Sequence, residues 1–476
     1  MNIKTVEKIG GTSMSRFSEL IGPLFLDKQG QPRYKRIFVV SAYGGITDLL
    51  LEHKHSGEPG VFTLFSEGED EDEWQTQLTT VGNTMRAINE DLFNDPALLE
   101  LANSFVQSRI EDARQCLLDV RRVCRFGSFD IDLYLGRVRE LLSSMGEAHS
   151  AYNATLLLQQ HKINACFVDL TGWRDNRLLS LDERITTCLA DIDFDHQLPI
   201  VTGYGQCTDG LVKRYGRGYT EITTCRLATL LMPEEVVIHK EYHLSSADPK
   251  IVGDQKSQPI GQTNYDVADQ LANLGMEAIH PNAATMLRKR GIPLRIKHAF
   301  EPDHRGTLIQ VDYQSDTPKV EIVAGRRNVM ALEVFDQDMV GRQLEFESRF
   351  IDVLQGFKVK SIGKDVNANS ITHYVACPLR TAKRVSEKLE LQFKDAVVVT
   401  RKVAFVCAIG TDMDLPGILA QCTRSLGEAD VGILSASQPL RGVDARFVVE
   451  EDNYIAAVNA LHDSVIQNDQ QVDKAA

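Results

Sequence analysis

Residues 3–13, Ile3-Lys4-Thr5-Val6-Glu7-Lys8-Ile9-Gly10-Gly11-Thr12-Ser13, and residues 36–48, Arg36-Ile37-Phe38-Val39-Val40-Ser41-Ala42-Tyr43-Gly44-Gly45-Ile46-Thr47-Asp48, share one design. A short apolar, β-branched run meets a glycine pair, and a helix-starting segment follows. That spelling predicts strand, tight turn and helix in each case, the first strand over Ile3–Lys8 and the second over Arg36–Ser41. Further strands are expected at Asn164–Asp169, Pro199–Gly203, Glu235–His239 and Pro293–Lys297. Apolar residues at three- and four-residue spacing predict helix from Trp74 to about Leu142. Strands alternating with helices argue for an α/β fold with a largely parallel sheet sandwiched by helices.

Composition narrows the function classes. The chain of 476 residues has room for about two to four domains. A net charge of -14 argues against binding a nucleic-acid backbone. The nine cysteines form no CxxC pair and read as reduced thiols rather than a disulfide framework. No metal cluster of zinc type is visible. The start, MNIKTVEKIGG, has no apolar core of a signal peptide, and no apolar run approaches the roughly 20 residues of a membrane span. The expectation is a cytoplasmic protein with no membrane partner. The acidic run Glu67–Glu73 reads as a solvated loop or helix start.

After Tyr313 a polar stretch, QSDTPK, reads as a linker. Two similar segments follow it. One runs from Val329 through Asp338-Met339-Val340-Gly341 to Gly356-Phe357-Lys358-Val359, the other from Val403 through Asp414-Leu415-Pro416-Gly417 to Ala429-Asp430-Val431-Gly432. An internal repeat of this size predicts two copies of a βαββαβ module. The expected division is 1–312 for a first domain, 319–393 for one module and 394–476 for the other. A strand near Val320–Val323 fits either module, so sequential and nested arrangements both remain open.

Phosphate chemistry needs positive charge and backbone N–H donors in one place. Lys8 with Gly10, Gly11, Thr12 and Ser13 offers both, because glycines let the backbone approach phosphate oxygens and the helix behind them points its amide end at them. Gly44-Gly45 repeats the device, and Tyr215-Gly216-Arg217-Gly218 is expected to repeat it again at a strand end. Each turn alone also fits a plain strand-to-helix junction. Together they point to one crevice at the carboxyl edge of a parallel sheet. Arg217 between two glycines can reach an anionic ligand bidentately, and Glu147 puts a carboxylate near the turn after the long helical region; a surface arginine and an exposed helix-end glutamate fit these residues as well.

In order along the chain, Lys8–Ser13 resembles the KFGGTS opening of aspartate kinases, Ser41–Asp48 their SAxGGxTD turn, Gly146-Glu147 their GE and Gly203-Tyr204 their GF. Gly216–Thr223 (GRGYTEIT) is similar to their GRGGSDxT, Ala247–Lys250 to ADPR, Gly275–Ala283 to GAKVLHPRA, and the repeated tail to their paired ACT modules. The spelling EKIGGTSMS with HKEYHLSSADP is most similar to the type encoded beside ectoine-synthesis enzymes.

The resemblance implies phosphoryl transfer from ATP, with Mg²⁺, to the side-chain carboxylate of L-aspartate. It implies catalytic roles for Lys8, Glu221 and Asp248, and substrate contacts from Ser41, Thr47, Glu147, Tyr204, Arg217 and Thr220. Nucleotide contacts would come from Gly10, Gly11, Thr12, Ser13, Ala42, Gly44, Gly45, His239, Lys240 and Lys250. It also implies a homodimer or higher homo-oligomer built through the ACT modules.

The chain departs from the family where nucleotide binds: Tyr219 replaces a glycine, Glu221 an aspartate and Glu277 a lysine, and His239-Lys240-Glu241-Tyr242-His243 replaces TDVDG or KDVDG. Regulated relatives carry Ser/Thr-Ser-Glu near Lys364–Ile371, and this chain lacks that glutamate. Weak or absent inhibition by lysine and threonine is therefore expected, with Asp414–Gly417 as the better-formed ligand turn. Two other readings stand beside this one: a kinase for another carboxylate acceptor, and a catalytically silent amino-acid sensor.

Overall fold

The computed structural model describes residues 3–26, 33–54, 56–68, 71–276, 278–301 and 303–467. Glu277 and residues 468–476 of the second tail module lie outside them. The strands are β1 Thr5–Ile9, β2 Arg36–Val40, β3 Ala165–Val168, β4 Leu198–Thr202, β5 Glu235–Lys240, β6 Gln262–Asn264, β7 Leu294–His298, β8 Thr307–Gln310, β9 Ile322–Phe335, β10 Ser361–Val366, β11 Ser370–Val375, β12 Val397–Ile409, β13 Ile433–Ser437 and β14 Asp444–Glu450.

The chain forms two compact units, Met1–His243 with Ile279–Val311, and Leu244–Ala278 with Asp312–Ala476. Segment Leu244–Ala278 falls inside the stretch expected as the first domain, yet it packs with the tail. Leu244, Val267, Leu271 and Leu274 bury themselves in one cluster with Ile322, Val403 and Phe405.

In the first unit the strands run in the order β3-β4-β2-β1-β5-β7-β8. All of these pairs are parallel except β7 with β8. Every residue of β2 and β4 is buried, as expected of strands covered on both faces. The helical region predicted as one stretch is three helices, Glu71–Leu92, Pro96–Cys124 and Asp132–Gln160. Pro96 cannot sit inside a helix without breaking its ladder, and Asp95 accepts from the Ala97 amide to cap the new start. Among the described residues no helix is long and apolar enough to cross a membrane.

The second unit holds a six-stranded antiparallel sheet, β10-β11-β9-β12-β14-β13. β9 serves both repeats. Its start, Ile322–Arg326, pairs with Phe405–Ile409 of β12, and its end, Val329–Phe335, with Val397–Val403. Val323 therefore lies in the core that holds helices Ile418–Glu428 and Tyr454–His462. Leu332 and Val334 lie in the core under helices Gln343–Gly356 and Leu379–Gln392. The arrangement is nested: the first strand of the outer module precedes the whole inner one.

Candidate active site

The pleat of the sheet sorts the candidates. Lys8 on β1 lies opposite Ile238 on β5, so Lys8 and Lys240 point to one face, while Glu7 and His239 point to the other. On the first face Lys8 Nζ stands 3.4 Å from Glu221 Oε1, both side chains being mostly buried. The His280 backbone N–H donates to Glu221 Oε2 at 2.6 Å. Burial alone would raise the Glu221 pKa, but the charges of Lys8 and Lys240 and the His280 amide outweigh it and hold the carboxyl below its ordinary range. Glu221 therefore remains an anion that fixes Lys8.

Next to this pair lies a buried carboxylate. Thr220 Oγ1 donates to Glu147 Oε1 at 2.7 Å, and Ser41 Oγ donates to Thr220 Oγ1 at 3.3 Å. Glu147 is 2% exposed, and among the described residues its Oε2 has no hydrogen-bond partner. Burial pushes its pKa up to about 8; the Thr220 hydroxyl, the Lys8 charge and the nearby Tyr204 amide pull it back only in part. An unpaired, desolvated carboxyl oxygen is costly unless a ligand supplies a cation.

Close packing builds this corner. A Cβ on Gly146 would lie 2.8 Å from Ala42 Cβ, and one on Gly203 would lie 2.6 Å from Thr220 Cγ2. Gly45, with φ +83°, turns the chain into helix Ile46–Leu50, where L side chains are strained. The Gly44 amide is taken by Ser15 Oγ at 2.9 Å, tying the two glycine turns together. Ser150 Oγ donates to the Ser41 carbonyl at 2.7 Å and fixes the end of β2. Ala42 is buried, Thr12 exposed, and buried Ser13 donates to Glu241 on the segment after β5.

Arg217 has partners within the protein. Its Nη1 pairs with Asp48 Oδ1, its Nη2 donates to the Glu52 carbonyl, and Glu52 Oε1 is 3.5 Å away. The guanidinium is thus held by residues of the protein itself. The glycines around it sit elsewhere than predicted: Gly216–Gly218 is a 3-10 turn after the short helix Leu211–Tyr215, not after a strand.

Tyr204 is buried, and its hydroxyl donates to Glu140 Oε2 at 2.7 Å. Its ring meets that of Tyr219 edge-on at 5.7 Å. Tyr219 fills the place of the family's glycine, fully buried, with its phenol near Thr47 and 3.5 Å from the Ser143 carbonyl.

His239 is not brought to the Lys8 face. Its Nε2 bonds Glu7 Oε2 at 2.7 Å, and Arg36 Nε donates to Glu7 Oε1 at 2.6 Å, making a buried triad on the opposite face. Asp248 and Lys250 belong to the second unit, where Asp248 caps helix Pro249–Val252 by accepting from the Lys250 amide at 3.0 Å. Among the described residues no group of three or more His, Cys, Asp or Glu side chains is arranged to hold a metal ion.

Asp48, Glu52, Glu140, Ser150 and His280 were not expected at the site. Glu140 had a readable signal: it lies seven residues before Glu147 in one helix, on the same face. The others act through backbone atoms or across long separations, which leave no trace in spacing.

A model of the amino acid kinase family matches residues 4–298. The chain is 46% identical over 473 residues to aspartate kinase Ask_Ect of Stutzerimonas stutzeri, covering 99% of each chain. It is 24% identical to the chloroplastic aspartokinase 1 of Arabidopsis thaliana, over 98% of this chain and 81% of the relative. Its fold is like that of E. coli aspartokinase III with lysine and aspartate (TM-score 0.73, 18% identity, 98% and 100% of the two chains covered). The same is true of that enzyme with aspartate and ADP (TM-score 0.70, 19% identity, 97% and 99% covered).

Proposed function

The chain belongs to the amino acid kinase family, and from that premise we propose that it is an aspartate kinase, moving the γ-phosphoryl group of ATP to the side-chain carboxylate of L-aspartate. The observation that carries this reading is the unpaired, buried Oε2 of Glu147 beside the fixed Lys8–Glu221 pair. An α-ammonium satisfies that oxygen and ionises the carboxyl. Arg217 takes an aspartate carboxylate by exchanging Asp48 and Glu52 for it, an exchange of like for like. Thr47, Tyr204 and Thr220 complete the acceptor pocket.

The acceptor needs no general base, since a free aspartate side chain with pKa of roughly 3.9 is already an anion at pH 7. The barrier is the approach of one anion to another. Position and charge neutralisation therefore do the chemistry. Lys8, held by Glu221, faces the transferred group, with Lys240 on the same face of the sheet. The glycine turns at Gly10-Gly11 and Gly45 offer backbone to the phosphates, the Gly44 amide being held by Ser15 Oγ. Mg²⁺ carried on ATP would supply further neutralisation of the phosphate charge, and it would be held chiefly by the nucleotide, since among the described residues no group of three or more His, Cys, Asp or Glu is arranged to hold it. His239 serves the fold through Glu7 and Arg36. Asp248 and Lys250 remain assigned to catalysis and nucleotide on resemblance alone.

The product, 4-phospho-L-aspartate, leads to compounds derived from aspartate semialdehyde, and likeness to Ask_Ect favours ectoine among them. We place the enzyme in the cytoplasm as a homo-oligomer joined through its tail. Val397 and Val399 alternate outward from β12 with exposures of 56% and 44%, as a sheet face awaiting a second copy would. Sedimentation of the purified protein as a monomer would remove that part.

The activity is tested by trapping the acyl phosphate with hydroxylamine, using Mg-ATP with L-aspartate, L-glutamate or N-acetylglutamate. Product with aspartate, lost in Lys8→Ala, is expected. Product with another acceptor alone, or none at all, overturns the reading.

A further inference from the structure

We propose that a cavity of about 360 Å³ in the first unit, separated from the acceptor pocket by Tyr204, is a second ligand site that takes a small monocarboxylate with an apolar or aromatic body. Its volume lies within the roughly 300–1,000 Å³ of small-molecule sites.

One wall is Trp173, and the chain goes to some length to hold it. Gly172 and Arg174 on either side have φ of +64° and +58°. For a residue with a Cβ, such as Arg174, that conformation is strained and marks a loop fixed by its surroundings. Trp173 Nε1 donates to Asp112 Oδ2 at 2.7 Å, Arg174 pairs with Asp112 Oδ1 at 2.6 Å, and the Arg109 guanidinium lies 4.4 Å from the indole centre. Facing the indole, helix Asp132–Gln160 contributes Tyr134 and Leu141.

The hydrogen-bonding state of the lining selects the ligand. Both acids of the cavity are already satisfied: Asp112 by Trp173 and Arg174, Glu140 by the Tyr204 hydroxyl and by the Lys213 amide at 2.9 Å. Arg137 is exposed, and its one hydrogen bond among the described residues is to the Thr208 carbonyl at 3.4 Å. The two acids and two arginines of the lining balance in charge, but the acid oxygens already accept hydrogen bonds while the Arg137 guanidinium keeps donors to spare; spare cationic donors beside aromatic and aliphatic walls call for a carboxylate on an apolar body.

The site has a physical route to the acceptor pocket. Glu140 and Tyr204 line the cavity, and the Tyr204 ring packs on Tyr219, which opens the helix carrying Thr220 and Glu221. A ligand that shifts Tyr204 therefore changes acceptor binding. This coupling, unlike the binding itself, rests on the aspartate kinase reading.

The test is calorimetric titration of the full chain with phenylacetate, and with phenethylamine as a cation of similar body. Phenylacetate alone is expected to bind. Arg137→Ala should weaken it about fivefold or more, the loss of one charge-assisted contact. Cys116→Trp, which fills the cavity from an exposed lining position, should abolish it with an unchanged Tm. No binding of phenylacetate at millimolar concentration, or equal binding by both variants, overturns the site. In the hydroxylamine assay, saturating phenylacetate should shift the KM for aspartate in the wild type and not in Cys116→Trp. Binding without that shift overturns the coupling. A chain that phosphorylates no aspartate defeats the functional reading and leaves the binding result standing.

Discussion

Glu147 makes the acceptor pocket a proton-releasing site. With its pKa pushed up to about 8, the carboxyl is about nine-tenths protonated at pH 7 in the free protein. An ammonium in contact lowers a carboxylate by about 1–3 units; at about 2 units the bound form is about nine-tenths ionised, and each aspartate bound at pH 7 releases about 0.8 proton. The measurement is calorimetry of aspartate binding in buffers of different ionisation enthalpy, where the slope of observed heat against that enthalpy counts protons. Affinity should improve by about fivefold from pH 6 to 7 and level off above about pH 9. Glu147→Gln keeps a partner for Thr220, removes the slope, and weakens binding by roughly 1.5–3 kcal/mol, the usual worth of a hydrogen bond to a charged group.

Stability should move oppositely. A carboxyl whose folded pKa lies above its unfolded value costs stability as pH rises from about 4.5 to about 8, here on the order of 5 kcal/mol. Glu147→Gln should therefore be more resistant to urea than the wild type at pH 9, with the difference vanishing near pH 4. A slope of zero in wild-type protein that does bind aspartate would refute the reasoning, because Glu147 would then be ionised already or remote from the ammonium.

Arg217→Lys should raise the KM for aspartate about tenfold or more with a smaller effect on kcat, since a point charge cannot hold a carboxylate in two places; steady-state kinetics decide it. Glu7→Gln should destabilise the protein by roughly 3–5 kcal/mol in urea unfolding, because Arg36 is left buried without its carboxylate. Glu7 is held well below the ordinary carboxylate range by Arg36 and His239 against the opposing effect of burial. Its contribution is thus present above the unfolded pKa and lost as pH falls through the folded one, so the mutant and wild type should converge in acid. Lysine or threonine at low millimolar concentration should leave initial rates unchanged. The hairpin between β10 and β11 is closed by Asn367, whose side chain accepts from the Asn369 and Ser370 amides, with no carboxylate in the turn to receive an effector's ammonium.

The readable parts of the site were those whose signal is local. A strand, a glycine pair and a helix start occupy a dozen adjacent residues, and so the placement of Lys8, Gly10, Gly11, Gly44 and Gly45 at the ends of β1 and β2 could be read from order alone. The repeat was readable because both copies carry the same landmarks. Its nesting was not, since β9 divides its pairing between two halves of β12 that lie 62 to 87 residues away. His239 looked like a nucleotide contact by its place in the chain, and the pleat turned it to the other face, where Glu7 and Arg36 meet it.

Local propensity thus determined which elements form and in what order: they arise from the φ/ψ preferences and apolar spacing of neighbours. Only the closed tertiary structure decided the electrostatics. Glu147 becomes a weak acid because its surroundings remove water from it and, among the described residues, leave Oε2 without a partner. Arg217 is restrained because Asp48 and Glu52 are brought to it across the chain. Desolvation and long-range pairing are properties of a packed neighbourhood, and no stretch of sequence contains that neighbourhood until the chain has folded.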